Sequence, residues 1–143
     1  MNAPDTNLLV YAYNQASPFH SKAKAYWEDS LNGIDPVGIP VICIHGFIRV
    51  MTGPALRGDH HSLVEALEIV DVWLERPNIQ ILNPGPDHWR IPRAVAGRVN
   101  ATSAFFTDAA IAAIAIEHGA IVHSYDRDFA RFPGLRWLNP LES

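Results

Sequence analysis

A chain of 143 residues, 48% hydrophobic and 18% charged, has the length and composition of a single globular domain spanning residues 1–143. No run of about 18 apolar residues occurs, which argues against a transmembrane helix, and the opening Met1-Asn2-Ala3-Pro4-Asp5 lacks the basic and apolar stretches of a signal peptide. The formal net charge of −4 excludes a protein that coats nucleic acid by bulk charge, but not a nuclease whose acidic centre takes up a divalent cation.

Helical and strand patterns alternate along the chain, as in an α/β layer fold. A short strand at 2–4 leads into Asp5-Thr6-Asn7, residues suited to a helix N-terminus, and helical character continues to Tyr13. Ser17-Pro18 is expected to open a second helix, with Ser17 as cap and Ala23, Tyr26, Trp27 and Leu31 as its apolar stripe, ended by Asn32-Gly33. Gly38-Ile39-Pro40-Val41 reads as a strand entry. Ile44, Phe47, Ile48 and Met51 then follow at helical spacing up to Gly53-Pro54. The single cysteine, Cys43, sits in this apolar stretch as a small buried hydrophobe; with no disulfide and no export signal, a cytoplasmic location is expected.

Ser62-Leu63-Val64-Glu65 carries a capping-box pattern. Leu63, Leu67, Val70, Trp73 and Leu74 are expected to form the buried face behind it. Ile79 and Ile81 alternate as in a strand, and Asp87 is placed to cap a helix containing Trp89 that Pro92 keeps irregular. The segment 107–119 is the strongest element: Thr107 is placed as N-cap, Asp108 at the positive helix end, and Gly119 as terminator. Between them the residues are apolar on every side, which predicts a helix buried mid-fold. Strands at 120–124 and 136–138 complete the pattern.

Metal-assisted phosphodiester hydrolysis needs oxygen ligands that converge on an ion. Asp5 follows the first strand, Asp108 opens the buried helix, and Asp126 and Asp128 follow a later strand. In a parallel sheet these positions share one edge, where ligands bind. Each also has a plainer role available: Asp5 as a cap, Asp108 as a complement to the helix dipole, Asp126 and Asp128 as turn formers. Thr107 could both cap its helix and position a water or phosphate. His60-His61 lacks zinc-helix spacing, His123 reads as a hydrogen-bonded core histidine, and Glu117 as a surface charge.

The ordered set of motifs resembles the PIN-domain ribonucleases, and among them the toxins of VapBC toxin–antitoxin pairs. Asp5-Thr6-Asn7-Leu8-Leu9 matches the opening Asp-x-Asn-x-Leu motif, and Phe47-Ile48-Arg49 the helix after the second strand. Thr107-Asp108-Ala109 and Ser124-Tyr125-Asp126-Arg127-Asp128-Phe129 resemble the later acidic stations, and Pro133-Gly134-Leu135-Arg136-Trp137 the chain end. The resemblance implies a three-layer α/β/α fold with a mainly parallel sheet. It also implies a Mg²⁺- or Mn²⁺-dependent endoribonuclease, the toxin of a type II toxin–antitoxin system. Asp5, Asp108 and Asp126 would be catalytic and hold metal, Asp128 would be a further metal ligand or an acceptor behind the ligands, and Asn7 and Thr107 would support them. RNA as substrate, a VapB-type antitoxin and a homodimer follow from the same resemblance.

One position departs from the family: Gly46 stands where a glutamate is common. His45 beside it would point about 100° away on a helix and suits Mg²⁺ poorly. Introducing a glutamate at 46 is expected to tighten Mg²⁺ or Mn²⁺ binding if the backbone there resembles the family. The same departure sustains an alternative, a catalytically impaired PIN domain that binds RNA or antitoxin without cutting. No Gly-rich phosphate loop follows the first strand, which argues against a small phosphate-binding α/β domain.

Overall fold

A computed structural model describes residues 1–56, 60–98 and 103–142. Its sheet has five strands: β1 (Asn2–Pro4), β2 (Val37–Pro40), β3 (Ile79–Leu82), β4 (Ile121–His123) and β5 (Arg136–Leu138). They run in the order β3-β2-β1-β4-β5, and every adjacent pair is parallel. The described helices are α1 (Thr6–Tyr13), α2 (His20–Asn32), α3 (Val41–Met51), α4 (Leu63–Leu74), α5 (Arg90–Arg98) and α6 (Ser103–Glu117). None is long and apolar enough to cross a membrane.

This strand order creates the site. The chain moves outward from β1 through β2 to β3, crosses back by α5 and α6, and resumes outward through β4 and β5. Right-handed crossovers put α1–α4 on one face and α5–α6 on the other, giving the three-layer α/β/α arrangement. The direction of winding reverses between β1 and β4. A crevice therefore opens at the carboxyl ends of those two strands, the position where open α/β sheets bind ligands.

The α1–α4 layer is held by aromatic packing. Trp73 lies 4.7 Å from Phe47 and 5.2 Å from Trp27, centroid to centroid, and its Nε1 donates to the Tyr13 hydroxyl at 2.8 Å. On the other face, Ala109 to Ala115 of α6 are buried, including Ala112 and Ile114. Gly119, at φ +64°, ends that helix, with the Ala120 N–H reaching back to the Ala115 carbonyl at 2.8 Å. Cys43 is fully buried, as expected. His123 is buried too, with Nδ1 2.8 Å from the Tyr26 hydroxyl, and burial lowers its pKa to about 4.

Several local expectations are corrected. Helix α6 starts at Ser103, so Thr107 is an exposed residue of its second turn rather than its cap, and Asp108 is not at the helix start. Tertiary packing extends the helix: Phe105 stacks on Phe132 at 4.7 Å, which favours an added turn. Helix α2 begins at His20. Ser17 instead makes a preceding turn, its Oγ accepting from the Phe19 N–H at 3.1 Å. The capping box at Ser62 and Glu65 is present, but α4 buries Ala66, Val70 and Trp73 and leaves Leu63, Leu67 and Leu74 exposed. Ile81 is exposed because β3 is an edge strand. Glu117 is a partner rather than a free surface charge: its Oε1 lies 3.3 Å from His88 Nδ1.

Candidate metal centre

Asp5 follows β1 directly, and its backbone N–H donates to the His123 carbonyl at 2.8 Å, which continues the β1–β4 ladder one step past the strands. The carboxylate is therefore fixed at the switch point and is buried. Its Oδ1 caps α1 by accepting from the Thr6 N–H at 2.7 Å, and its Oδ2 accepts from the Ser124 hydroxyl at 2.8 Å. The capping role and the place in the crevice coexist.

Ser124 ties the two strand ends together. Besides donating to Asp5, its Oγ accepts from the Asn7 amide at 3.3 Å and from the Asp126 N–H at 3.0 Å. Asp126 Oδ1 in turn accepts from the Asp128 N–H at 2.9 Å, opening the 3-10 turn Arg127–Arg131. One hydroxyl thus positions Asp5, Asn7 and Asp126. Sequence inspection missed Ser124. The available signal was a small hydroxyl residue at a strand end, two residues before an aspartate, where it could bond that aspartate's backbone.

Asp108 enters from α6 on the opposite face of the sheet. Carboxylate oxygens of Asp108, Asp126 and Asp128 all lie within 4.8 Å of one another. Asp5 is outside that set but lines the same cleft of about 700 Å³ with Asn7, Thr107, Asp108 and Asp126. All four predicted acids therefore come to one edge, with Asp5 at the buried floor and Asp128 at the exposed rim. His45 and Arg49 of α3 are exposed and also line the cleft.

The electrostatics are those of acids crowded at a partly buried site. Asp5 is raised from 3.8 to about 6, first by burial and opposed by its bonds from Ser124 and Thr6, with the Asp126 charge adding to the rise. Asp108 is raised from 3.8 to about 7 by burial and then by the charges of Asp5, Asp126 and Asp128. Burial and the Asp5 charge hold the Cys43 thiol well above its usual range, so it is not a thiolate ligand.

The donors fit a hard divalent cation. The clustered atoms are all carboxylate oxygens, with no thiolate or imidazole among them. The Asn7 Oδ1 beside them is buried without a hydrogen-bond partner, an acceptor suited to a water of a hydrated ion.

Gly46 is explained by its neighbour. A Cβ there would lie 2.8 Å from Thr6 Oγ1 and 3.1 Å from Thr6 Cγ2. Thr6 fills the space that a side chain at 46 would need, so a glutamate there requires the Thr6 side chain to shift.

Comparison with known proteins agrees with this geometry. The family profile described as PIN domain matches residues 3–135. The chain belongs to the PIN-domain family. Relatives include Ribonuclease VapC33 of Mycobacterium tuberculosis, 37% identical over 141 residues, covering 99% of each chain. Ribonuclease VapC43 of the same organism is 38% identical over 138 residues, covering 96% of this chain and 94% of the relative. Among solved structures, VapC20 of Mycobacterium tuberculosis, a sarcin-ricin loop cleaving toxin, superposes with a TM-score of 0.71 at 16% identity, over 95% of this chain and 99% of that one. VapBC2 from Rickettsia felis, solved bound to a promoter DNA fragment, gives 0.70 at 17% identity, covering 96% and 97%. At these identities the structures establish the PIN fold alone.

Proposed function

We propose that this chain is a divalent-metal-dependent endoribonuclease and the toxin of a type II toxin–antitoxin pair, working as one domain over its whole length. The observation that supports this most is the convergence of Asp108, Asp126 and Asp128 within 4.8 Å over the buried Asp5, at the switch point of a PIN fold. Full-length relatives named as VapC ribonucleases support the choice of RNA.

Asp108, Asp126 and Asp128 would hold Mg²⁺ or Mn²⁺, with Asp5 and Asn7 beneath them. Such an ion supplies water activation and stabilises charge on the phosphate oxygens. The remaining work belongs to the chain. Ser124 fixes the orientation of Asp5 and the backbone at Asp126, so the acids are preorganised before RNA arrives. Asp5 and Asp108, raised to about 6 and about 7, hold a share of protons near neutrality that cation binding releases. Arg49 on α3 and Thr107 on α6 flank the cleft and offer donors to the RNA backbone. Binding to a VapB-type antitoxin and self-association as a homodimer belong to the same proposal, supported by the VapBC complexes among proteins of like fold.

The test is cleavage of total cellular RNA by purified antitoxin-free protein, with Mg²⁺ or Mn²⁺ titrated in and then chelated. Cutting that depends on metal and falls by orders of magnitude in Asp108→Asn is the expected result. Retained RNA or antitoxin binding without cutting at any metal concentration would favour the impaired binding module that Gly46 suggests.

A further inference from the structure

Beside the acidic cleft lies a second opening of about 570 Å³, and Asn7, Tyr11 and Asp126 line both, so the two are continuous. Three aromatic rings form its wall. Phe19 and Tyr125 pack at 4.3 Å with their planes 43° apart, Tyr11 lies 5.1 Å from Phe19, and Tyr11 meets Tyr125 edge-on at 6.2 Å and 80°. The cluster is not core. Tyr125 remains 41% exposed, whereas Phe129 and Phe132 farther along the same segment are buried. Tyr125 directly precedes Asp126, so its ring is fixed beside the acidic cluster.

The opening also holds two cations, Lys22 and Arg127. Lys22 Nζ donates to the Leu141 carbonyl at 3.5 Å. Arg127 lies 3.6 Å from Glu142 Oε1, but those side chains are 81% and 60% exposed, so the pair is weak and a phosphate can compete for the guanidinium. An exposed ring backed by other rings and flanked by cations, one residue from an acidic centre, is the combination that grips single-stranded nucleic acid. A protein of net charge −4 has particular need of it, because bulk charge gives it no hold on RNA.

We propose that Tyr125, supported by Phe19 and Tyr11, is a stacking shelf for an unpaired nucleobase of the RNA. That base belongs to a nucleotide flanking the phosphate at the acidic cleft, and Lys22 and Arg127 meet the adjoining phosphates. The shelf rests on the ribonuclease reading above and adds to it how the substrate is held.

The test compares single-stranded oligoadenylate and oligouridylate, about ten nucleotides long, with an abasic ribose–phosphate chain of equal length. Binding is read by fluorescence anisotropy in Mg²⁺ on an Asp108→Asn background, which prevents cutting, and cleavage is measured in parallel with Asp108 intact. Tyr125→Ala should weaken binding of the base-bearing chains about tenfold. It should leave the abasic chain unaffected, and Tyr125→Phe should retain the preference for bases. With Asp108 intact, Tyr125→Ala should raise KM more than it lowers kcat. Equal weakening toward all three chains, or none, would overturn the shelf. So would loss of binding to a VapB-type antitoxin with RNA binding unchanged, which would assign the rings to a protein partner. Base-dependent RNA binding that needs Tyr125, without cleavage in any metal, would uphold the shelf and sink the nuclease reading. No binding to any RNA would overturn both.

Discussion

Replacing Asp5 by Asn should make the metal-free protein more stable at alkaline pH and not at acidic pH. Burial raises Asp5 from 3.8 to about 6, so the folded protein holds this proton more tightly than the unfolded chain does. Between those values the folded state carries more protons, and stability falls as pH rises. Below the unfolded value the penalty is absent; above about 6 it is fully expressed. A shift of roughly two units corresponds to about 3 kcal/mol. Asn keeps an acceptor for the Thr6 N–H but disturbs the bond from Ser124, at a cost of about 1 kcal/mol. The variant should therefore gain about 2 kcal/mol over the native protein at pH 8 and lose about 1 kcal/mol at pH 4, where only the disturbed hydrogen bond counts. The assay is urea denaturation in chelator across that range. Because the Asp5 charge is one cause of the raised Asp108 pKa, Asp108 should also move back down in the variant, visible in a carboxyl carbon NMR titration. A native-minus-variant difference that does not change with pH would refute the reasoning.

Adding Mg²⁺ should reverse the ranking: at 100 times its Kd the cation stabilises the native protein by about 2.7 kcal/mol, and Asp126→Asn should lose most of that gain in a thermal shift. Ser124→Ala removes the donor to Asp5 Oδ2 and the acceptor for the Asp126 N–H, and should cost about 1–3 kcal/mol in denaturation while weakening metal binding in calorimetry. Gly46→Ala should destabilise by about 1–2 kcal/mol despite its helix propensity, because its Cβ meets Thr6 Oγ1 at 2.8 Å. Combining it with Thr6→Ala should recover most of the loss, measured as a double-mutant cycle.

What could be read from the sequence follows from how local each cause is. The α6 core, the Gly119 stop and the Ser62–Glu65 capping box depend on neighbouring residues, and the structure has them where pattern placed them. The start of α6 depends on Phe105 stacking against Phe132, 27 residues later, and Thr107 was misplaced as its cap for that reason. The acidic edge was legible because strand ends and the parallel winding dictate it, but Ser124 was not, since its importance lies in partners from α1 and β1. Gly46 shows the same limit from the other side. Along the chain it looks like a lost ligand. In space it is one half of a pair, with Thr6 seated in the volume that a larger residue would claim. Thr6 is also the residue whose N–H caps onto Asp5. A glutamate at 46 would therefore have to displace the side chain beside that cap before it could offer an oxygen to a cation. Gly46 and Thr6 consequently form one packing unit that helps seat Asp5, and the cluster of Asp108, Asp126 and Asp128 supplies its carboxylates without drawing on α3.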